Sequence, residues 1–247
     1  MDINMSKFQT ILWDFDQTLI DFEKSERYAI IETLRFYGIE VNETMIQRYS
    51  EINAFFWRLL EAGKITRNEV FIERFHVMFE EFSIINVDPE AFNEHYLNEI
   101  SSVYFYLDDS YALVEKLKGH FRQYIVTNGS LRTQTRKLEL SGFAGLVERT
   151  FTSEELGALK PSVTFFERCF EQIPDFKKEQ TIIIGDSLTS DMQGGNNASI
   201  ACCWYNPKHL KNELGIKIDY EIDNLWDIEK LLNHTGTMRW QNQQIKN

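Results

Sequence analysis

Thr181-Ile182-Ile183-Ile184-Gly185-Asp186-Ser187-Leu188-Thr189-Ser190-Asp191 is an apolar run that ends in glycine and aspartate, with a second aspartate five residues on. A run without polar alternation suits a strand covered on both faces, as in a parallel sheet. Four more short apolar runs, at 9–13, 123–126, 149–151 and 200–204, share that character. Between these runs, three- and four-residue periodicity predicts helices over 110–117, 131–140, 162–172 and 188–196. Alternating strands and helices give an α/β class: a Rossmann-like, three-layer α/β/α core around a parallel sheet. Gly194-Gly195 lets the last of these helices pack closely before the final core strand.

Working outward, the pattern breaks once. From 21 to 103 strands vanish, and four helices are expected at 25–37, 43–60, 67–82 and 89–100. Ile52, Phe55, Phe56, Leu59 and Leu60 show the helical spacing, while Gly38, Gly63 and Asp88-Pro89 mark the breaks. The expected organisation is an α/β core of residues 1–20 and 104–247 with an all-helical cap domain at 21–103. His234 to Asn247 is expected to form a flexible tail. Ligands in open parallel sheets bind at the carboxyl ends of the strands, so an insertion leaving from that edge should cover the site as a lid.

Four predicted strand ends carry chemistry. In Trp13-Asp14-Phe15-Asp16-Gln17-Thr18 two carboxylates lie on one side of an extended chain. One could attack phosphorus while the other moves protons, although an acidic turn after a strand reads the same in isolation. Thr127-Asn128-Gly129-Ser130 joins a hydroxyl and an amide to a helix start, which suits a phosphate or a plain turn. Lys160 precedes Pro161, expected in the first turn of a helix, and could point inward or into solvent. Asp186 and Asp191 complete the set. Four carboxylates (Asp14, Asp16, Asp186 and Asp191) at neighbouring strand ends would repel one another and a phosphate. A hard cation relieves that conflict, with Mg2+ the natural choice, and Lys160 adds positive charge near the phosphoryl oxygens.

Composition removes other classes. Lysine plus arginine number 26 against 38 acidic residues, a net charge of −12 without a basic stripe, which excludes a nucleic acid polymer as the main partner. A small phosphorylated metabolite needs only one or two local cations. Cys169, Cys202 and Cys203 lack a disulfide or CxxC spacing, and adjacent Cys202 and Cys203 are expected to point to opposite faces of a strand. With neither an apolar signal region near Met1 nor a run long enough for a bilayer, no membrane partner is expected and the expected localisation is cytoplasmic.

The order and spacing of these motifs resemble the haloacid dehalogenase (HAD) superfamily, with residues 21–103 similar to its four-helix cap. The resemblance implies Asp14 as nucleophile and Asp16 as acid/base, with Asp16 also giving magnesium a backbone carbonyl. It implies Thr127 and Asn128 as the phosphate-binding segment and Lys160 as the active-site lysine. Asp186 becomes an acidic metal ligand and Asp191 a supporting carboxylate behind it. Gln17 departs from the glycine many members carry there. True dehalogenases lack an aspartate at the place of Asp16, which makes dehalogenation the disfavoured branch.

Within the superfamily the chain looks most like the pyrimidine 5′-nucleotidase branch, which acts on nucleoside monophosphates, including noncanonical ones. The similar stretches include Gly63-Lys64-Ile65-Thr66, Arg74-Phe75, Gln134 and Arg136, and Cys203-Trp204 with Asn206. Asn53 and Trp57, one turn apart on one helix face, are candidate base-recognition residues: Trp57 could stack on a base or pack against another cap helix. The alternatives are a phosphatase or phosphomutase for phosphosugars, and a catalytically silent binding protein on the same scaffold.

Overall fold

The computed structural model describes residues 6–232. Six strands form one parallel sheet: β1 (Thr10–Trp13), β2 (Arg122–Thr127), β3 (Arg149–Thr152), β4 (Thr181–Gly185), β5 (Ala201–Tyr205) and β6 (Tyr220–Ile222). Their order is β3-β2-β1-β4-β5-β6. The chain therefore runs outward from β1 in one direction and from β4 in the other. A crevice opens at such a switch point, above the carboxyl ends of the two strands.

Alternation along each strand builds two cores. Ile11, Trp13, Ile125, Ile182, Ile184 and Cys203 face one side, with α5 (Ser110–Leu117), α6 (Leu131–Leu140) and α10 (Ile228–Leu232). Leu12, Tyr124, Val126, Ile183 and Cys202 face the other, with α7 (Ser153–Leu156), α8 (Val163–Phe170) and α9 (Gln193–Ala198). This is the expected three-layer core, and Cys202 and Cys203 do part to opposite faces. Each large apolar side chain buried here contributes about 1.5–3 kcal/mol.

Between β1 and α5 lie α1 (Phe22–Phe36), α2 (Glu43–Glu61), α3 (Arg67–Glu81) and α4 (Pro89–Ser102). They enclose a third core around Tyr49, Phe75, Phe79, Phe92 and Tyr96. Side-chain caps fix the helix starts: Asp21, Asn42 and Asp88 accept from the first-turn amides, and Thr66 with Glu69 forms a capping box. Gly38 and Gly63 take positive φ just past the ends of α1 and α2, where a left-handed residue closes the helix.

Four details depart from the sequence expectation. α1 starts at Phe22 rather than 25, because Asp21 accepts from the Lys24 amide and caps it there. Pro161 lies one residue before the N-cap of α8, the cap being Ser162, whose side chain accepts from Thr164 N. Residues Leu188–Met192 form a wide π-type turn ahead of α9. Strand β6 has only three residues among charged neighbours, too short for a periodic signal. The tail expected at 234–247 lies outside the described residues.

Candidate active site

Strand β1 ends at Trp13, so Asp14 is the first residue beyond it, and its amide donates to Ile184 O of β4 at 2.9 Å. The residue is 7% exposed. Its Oδ2 accepts from Thr18 Oγ1 at 3.0 Å and its Oδ1 from Lys160 Nζ at 2.7 Å. Lys160 also donates to Asp191 Oδ1 at 2.7 Å and to Val126 O at 2.9 Å, which uses all three ammonium hydrogens. Its inward orientation comes from Asn128, whose amide oxygen accepts from Lys160 N while its Nδ2 donates to Lys160 O, both at 2.9 Å. The Asn128 side chain thus holds the lysine segment in place.

Gly185 is what lets Asp191 come so close. A Cβ at that position would overlap the Asp191 carboxylate. Asp191 Oδ2 accepts from Ser187 N at 3.1 Å, so both of its oxygens are held by protein donors. Asp186 follows β4 and is anchored through its carbonyl, which accepts from Trp204 Nε1 at 2.8 Å. Thr127 Oγ1 accepts from Gly129 N at 3.0 Å and Gln134 Nε2 at 3.1 Å, and its own hydroxyl hydrogen remains to donate. Asp16 is turned toward α6, where Gln134 Nε2 donates to Oδ2 and Lys137 Nζ to Oδ1 at 3.2 Å.

The charge balance is uneven. One oxygen from each of Asp14, Asp186 and Asp191 can be chosen so that all three lie within 4.8 Å of one another. Burial, then the Asp191 charge, pushes Asp14 up to about 7, against the pull of Lys160. Burial, followed by Asp14 and Asp191, holds Asp186 well above the usual carboxylate range. Burial would depress the Lys160 ammonium, but Asp14 and Asp191 outweigh it and its pKa is raised. An all-oxygen cluster with more negative charge than one lysine can balance suits a hard divalent cation, so these residues fit magnesium.

All nine residues singled out from the sequence line one cavity of about 350 Å³, within the range of small-molecule sites. Helices α1 and α2 form its far wall. Trp57 lies there half-buried, edge-on to Phe71 at 6.5 Å and under the Arg67 guanidinium at 5.8 Å. Asn53 lies one turn earlier on the same helix. Its Nδ2 donates to Glu26 and its Oδ1 accepts from Arg74, so the amide serves neighbouring protein groups before any base. Arg67 ties the wall to the core, donating to Asn128 O at 2.8 Å and to Ser153 Oγ at 2.6 Å.

Sequence reasoning passed over Lys137, Glu26 and Arg67, and gave Thr18 and Gln134 no role. Gln134 and Lys137 stand three apart on the helix that follows the phosphate-type turn, which puts both on one face. Glu26 shares the spacing of Ala29, Ile30 and Thr33, and a charged residue on a buried stripe is a readable signal.

Comparison with known proteins gives the chain its family. The family model for haloacid dehalogenase-like hydrolases matches residues 8–199. The chain is 35% identical to the HAD-hydrolase YfnB of Bacillus subtilis over 95% of this chain and 99% of that one. It is 34% identical to the pyrimidine 5′-nucleotidase PynA of Streptococcus pneumoniae, over 90% and 93% of the two chains. The pyrimidine 5′-nucleotidase YjjG of Escherichia coli is 28% identical over 92% and 98%. The crystal structure of YfnB, bound to magnesium and revealing interdomain movement, superposes with a TM-score of 0.87, covering 92% of this chain and 99% of that one.

Proposed function

The chain belongs to the haloacid dehalogenase-like hydrolases, and from that premise we propose that it is a magnesium-dependent 5′-nucleotidase acting through an aspartyl phosphate on Asp14. It is a phosphoric monoester hydrolase, and nucleoside monophosphates, pyrimidine ones foremost, are the substrates this reading assigns to it. The observation that carries the reading is the buried Asp14 carboxylate, bonded to Lys160 and facing a cavity walled by the four-helix insertion at 21–103, which we take as a cap domain. Similarity to two pyrimidine 5′-nucleotidases over at least nine-tenths of this chain supports the substrate class. Among the described residues no helix is long and apolar enough to cross a membrane. Three free buried cysteines are consistent with a cytoplasmic setting.

In this reading an Asp14 oxygen attacks phosphorus in line, and Asp16 gives a proton to the departing ribose oxygen. Asp16 then takes a proton from water, which attacks the phosphorus. The bond to Asp14 breaks and the carboxylate is regenerated. Lys160 orients Asp14 throughout, and the Thr127 hydroxyl offers its hydrogen to a phosphoryl oxygen. Gln134 and Lys137 keep Asp16 at the rim of the same cavity. Asp14 and Asp186, with the Asp16 carbonyl that the family resemblance implies, would hold magnesium, which supplies positive charge for the transferring group. Asp191 is left to its two donors as a supporting residue.

The test is phosphate release over a panel of nucleoside monophosphates and phosphosugars, with magnesium and with chelator. Pyrimidine nucleotides should lead the panel, and the chelator should abolish release. A panel led by phosphosugars, or release unaffected by chelator, would refute the substrate or the metal assignment respectively.

A further inference from the structure

The catalytic chemistry leaves one buried acid in the cavity unexplained. Glu26, on α1, is 4% exposed and still lines the cavity. Its Oε2 accepts from Ser50 Oγ and its Oε1 from Asn53 Nδ2, both at 2.6 Å. Behind Asn53 stands Arg74, donating to Asn53 Oδ1 at 2.7 Å and to Asn93 Oδ1 at 2.8 Å. Arg74 is 2% exposed, its guanidinium 4.7 Å from the Phe75 ring and 4.8 Å from that of Tyr96. A carboxylate and a guanidinium are thus both buried, with an amide between them instead of a direct pair.

Burying two charges that do not touch is costly, and apolar packing would hold these helices more cheaply. The arrangement makes sense if the carboxylate face must be kept open. Ser50 and Asn53 fix Glu26 as an acceptor, and two donors do not exhaust the roughly four acceptor positions of a carboxylate. Burial raises the Glu26 pKa, while the bonds from Ser50 and Asn53 and the Arg74 charge act the other way.

The rest of the wall shares its sign. Glu23 and Glu61 line the cavity from the same helices, Glu23 paired with Lys208 and Glu61 accepting from Thr189 Oγ1 at 3.3 Å within the field of Asp191 and Lys160. Among the described residues lining the cavity the only lysine or arginine is Lys160, and it is fully engaged at the other end. A phosphoryl group can be balanced at the Asp14 end. A second anion at the cap end would meet Glu26, while the nearby cations are already engaged: Lys208 by Glu23, Arg67 by Asn128 and Ser153, and Arg74 by Asn53 and Asn93.

From this we infer that Glu26 is the specificity-determining acceptor for the leaving group, receiving an O–H or N–H from it, and that the acidic wall excludes leaving groups with a second anion. The inference deepens the nucleotidase reading and rests on it for the position of the phosphate. A nucleoside is a neutral leaving group whose ribose hydroxyls and base N–H groups are donors. Sugar bisphosphates and phosphorylated sugar acids fail on charge, and a mutase cycling through a bisphosphate fails with them.

The experiment compares kcat/KM within pairs that differ by one anion: a pyrimidine nucleoside 5′-monophosphate against its 3′,5′-bisphosphate, and glucose 6-phosphate against glucose 1,6-bisphosphate. In the wild type the second anion should lower kcat/KM by about 100-fold or more. Glu26→Gln should narrow that gap. It should also lower kcat/KM for the monophosphate at least about tenfold more than for p-nitrophenyl phosphate, which has neither donor nor second anion. Bisphosphates accepted as readily as monophosphates, or equal losses on nucleotide and aryl phosphate, would overturn the inference. If phosphosugars are cleaved and nucleotides are not, the nucleotidase reading fails while the glucose pair still decides the role of the acidic wall. The wild-type pairs also decide it if the variant does not fold.

Discussion

Lys160 donates to Asp14, to Asp191 and to the Val126 carbonyl, so its position depends on whatever places those three groups. Gly185 places one of them. A methyl group there would push Asp191 away, and Lys160 would follow or lose a partner. Gly185→Ala is therefore expected to lower kcat by about 100-fold, the scale of an ångström's misplacement near reacting groups. Circular dichroism should still report a folded protein, and a variant with kcat within about threefold of wild type would refute the coupling. Asp14 and Asp186 were legible from the sequence because each directly follows an apolar strand, whereas Lys160, separated from β3 by α7, was placed only by the family resemblance. The duties of Asn53 and Asn128 were not, because an amide's partners come from segments distant in the chain. Gln17 shows why glycine is common at its position in the family: its φ is +65°, in the left-handed region that side chains resist.

At the scale of elements, the α2 wall and the N-terminus of α3 do different work. Trp57 lines the cavity, so Trp57→Ala should raise KM for pyrimidine nucleotides by roughly tenfold, the value of one stacked base, with less effect on p-nitrophenyl phosphate. Equal shifts on both substrates would return Trp57 to simple packing against Phe71. Arg67 instead joins the start of α3 to Asn128 and Ser153 of the core. Arg67→Ala should raise KM for both substrates alike, by about fivefold, because its hydrogen bonds hold the seam and its contact with the Trp57 ring is the lesser one. A change seen with nucleotides alone would instead place Arg67 at the base. Helix periodicity gave the four inserted helices to within a few residues, since caps and glycines punctuate them. It could not show which of their polar residues face inward at the seam.

Over the whole molecule, alternating apolar strands and helical patterns made the doubly covered parallel sheet readable. The short edge strand β6 escaped because three residues carry little pattern. Net charge and site charge have the same sign, so the magnesium of the proposed function would act on stability as well as on catalysis. Asp14, raised to about 7, contributes stability that is complete below its unfolded pKa of about 4 and is lost as pH rises through about 7. If magnesium binds as proposed, it takes the deprotonated form, so its increment in Tm should be larger at pH 8 than at pH 5.5. An equal or larger increment at pH 5.5 would contradict the proposed ligand set. The central claim, that Asp14 receives the phosphoryl group, is tested most directly by acid-quenching the magnesium-loaded enzyme during turnover of phosphate-radiolabelled nucleotide and mapping the labelled peptide. Label should be found on the peptide carrying Asp14 and be absent with Asp14→Asn. Label on another peptide, or label persisting in Asp14→Asn, would contradict it.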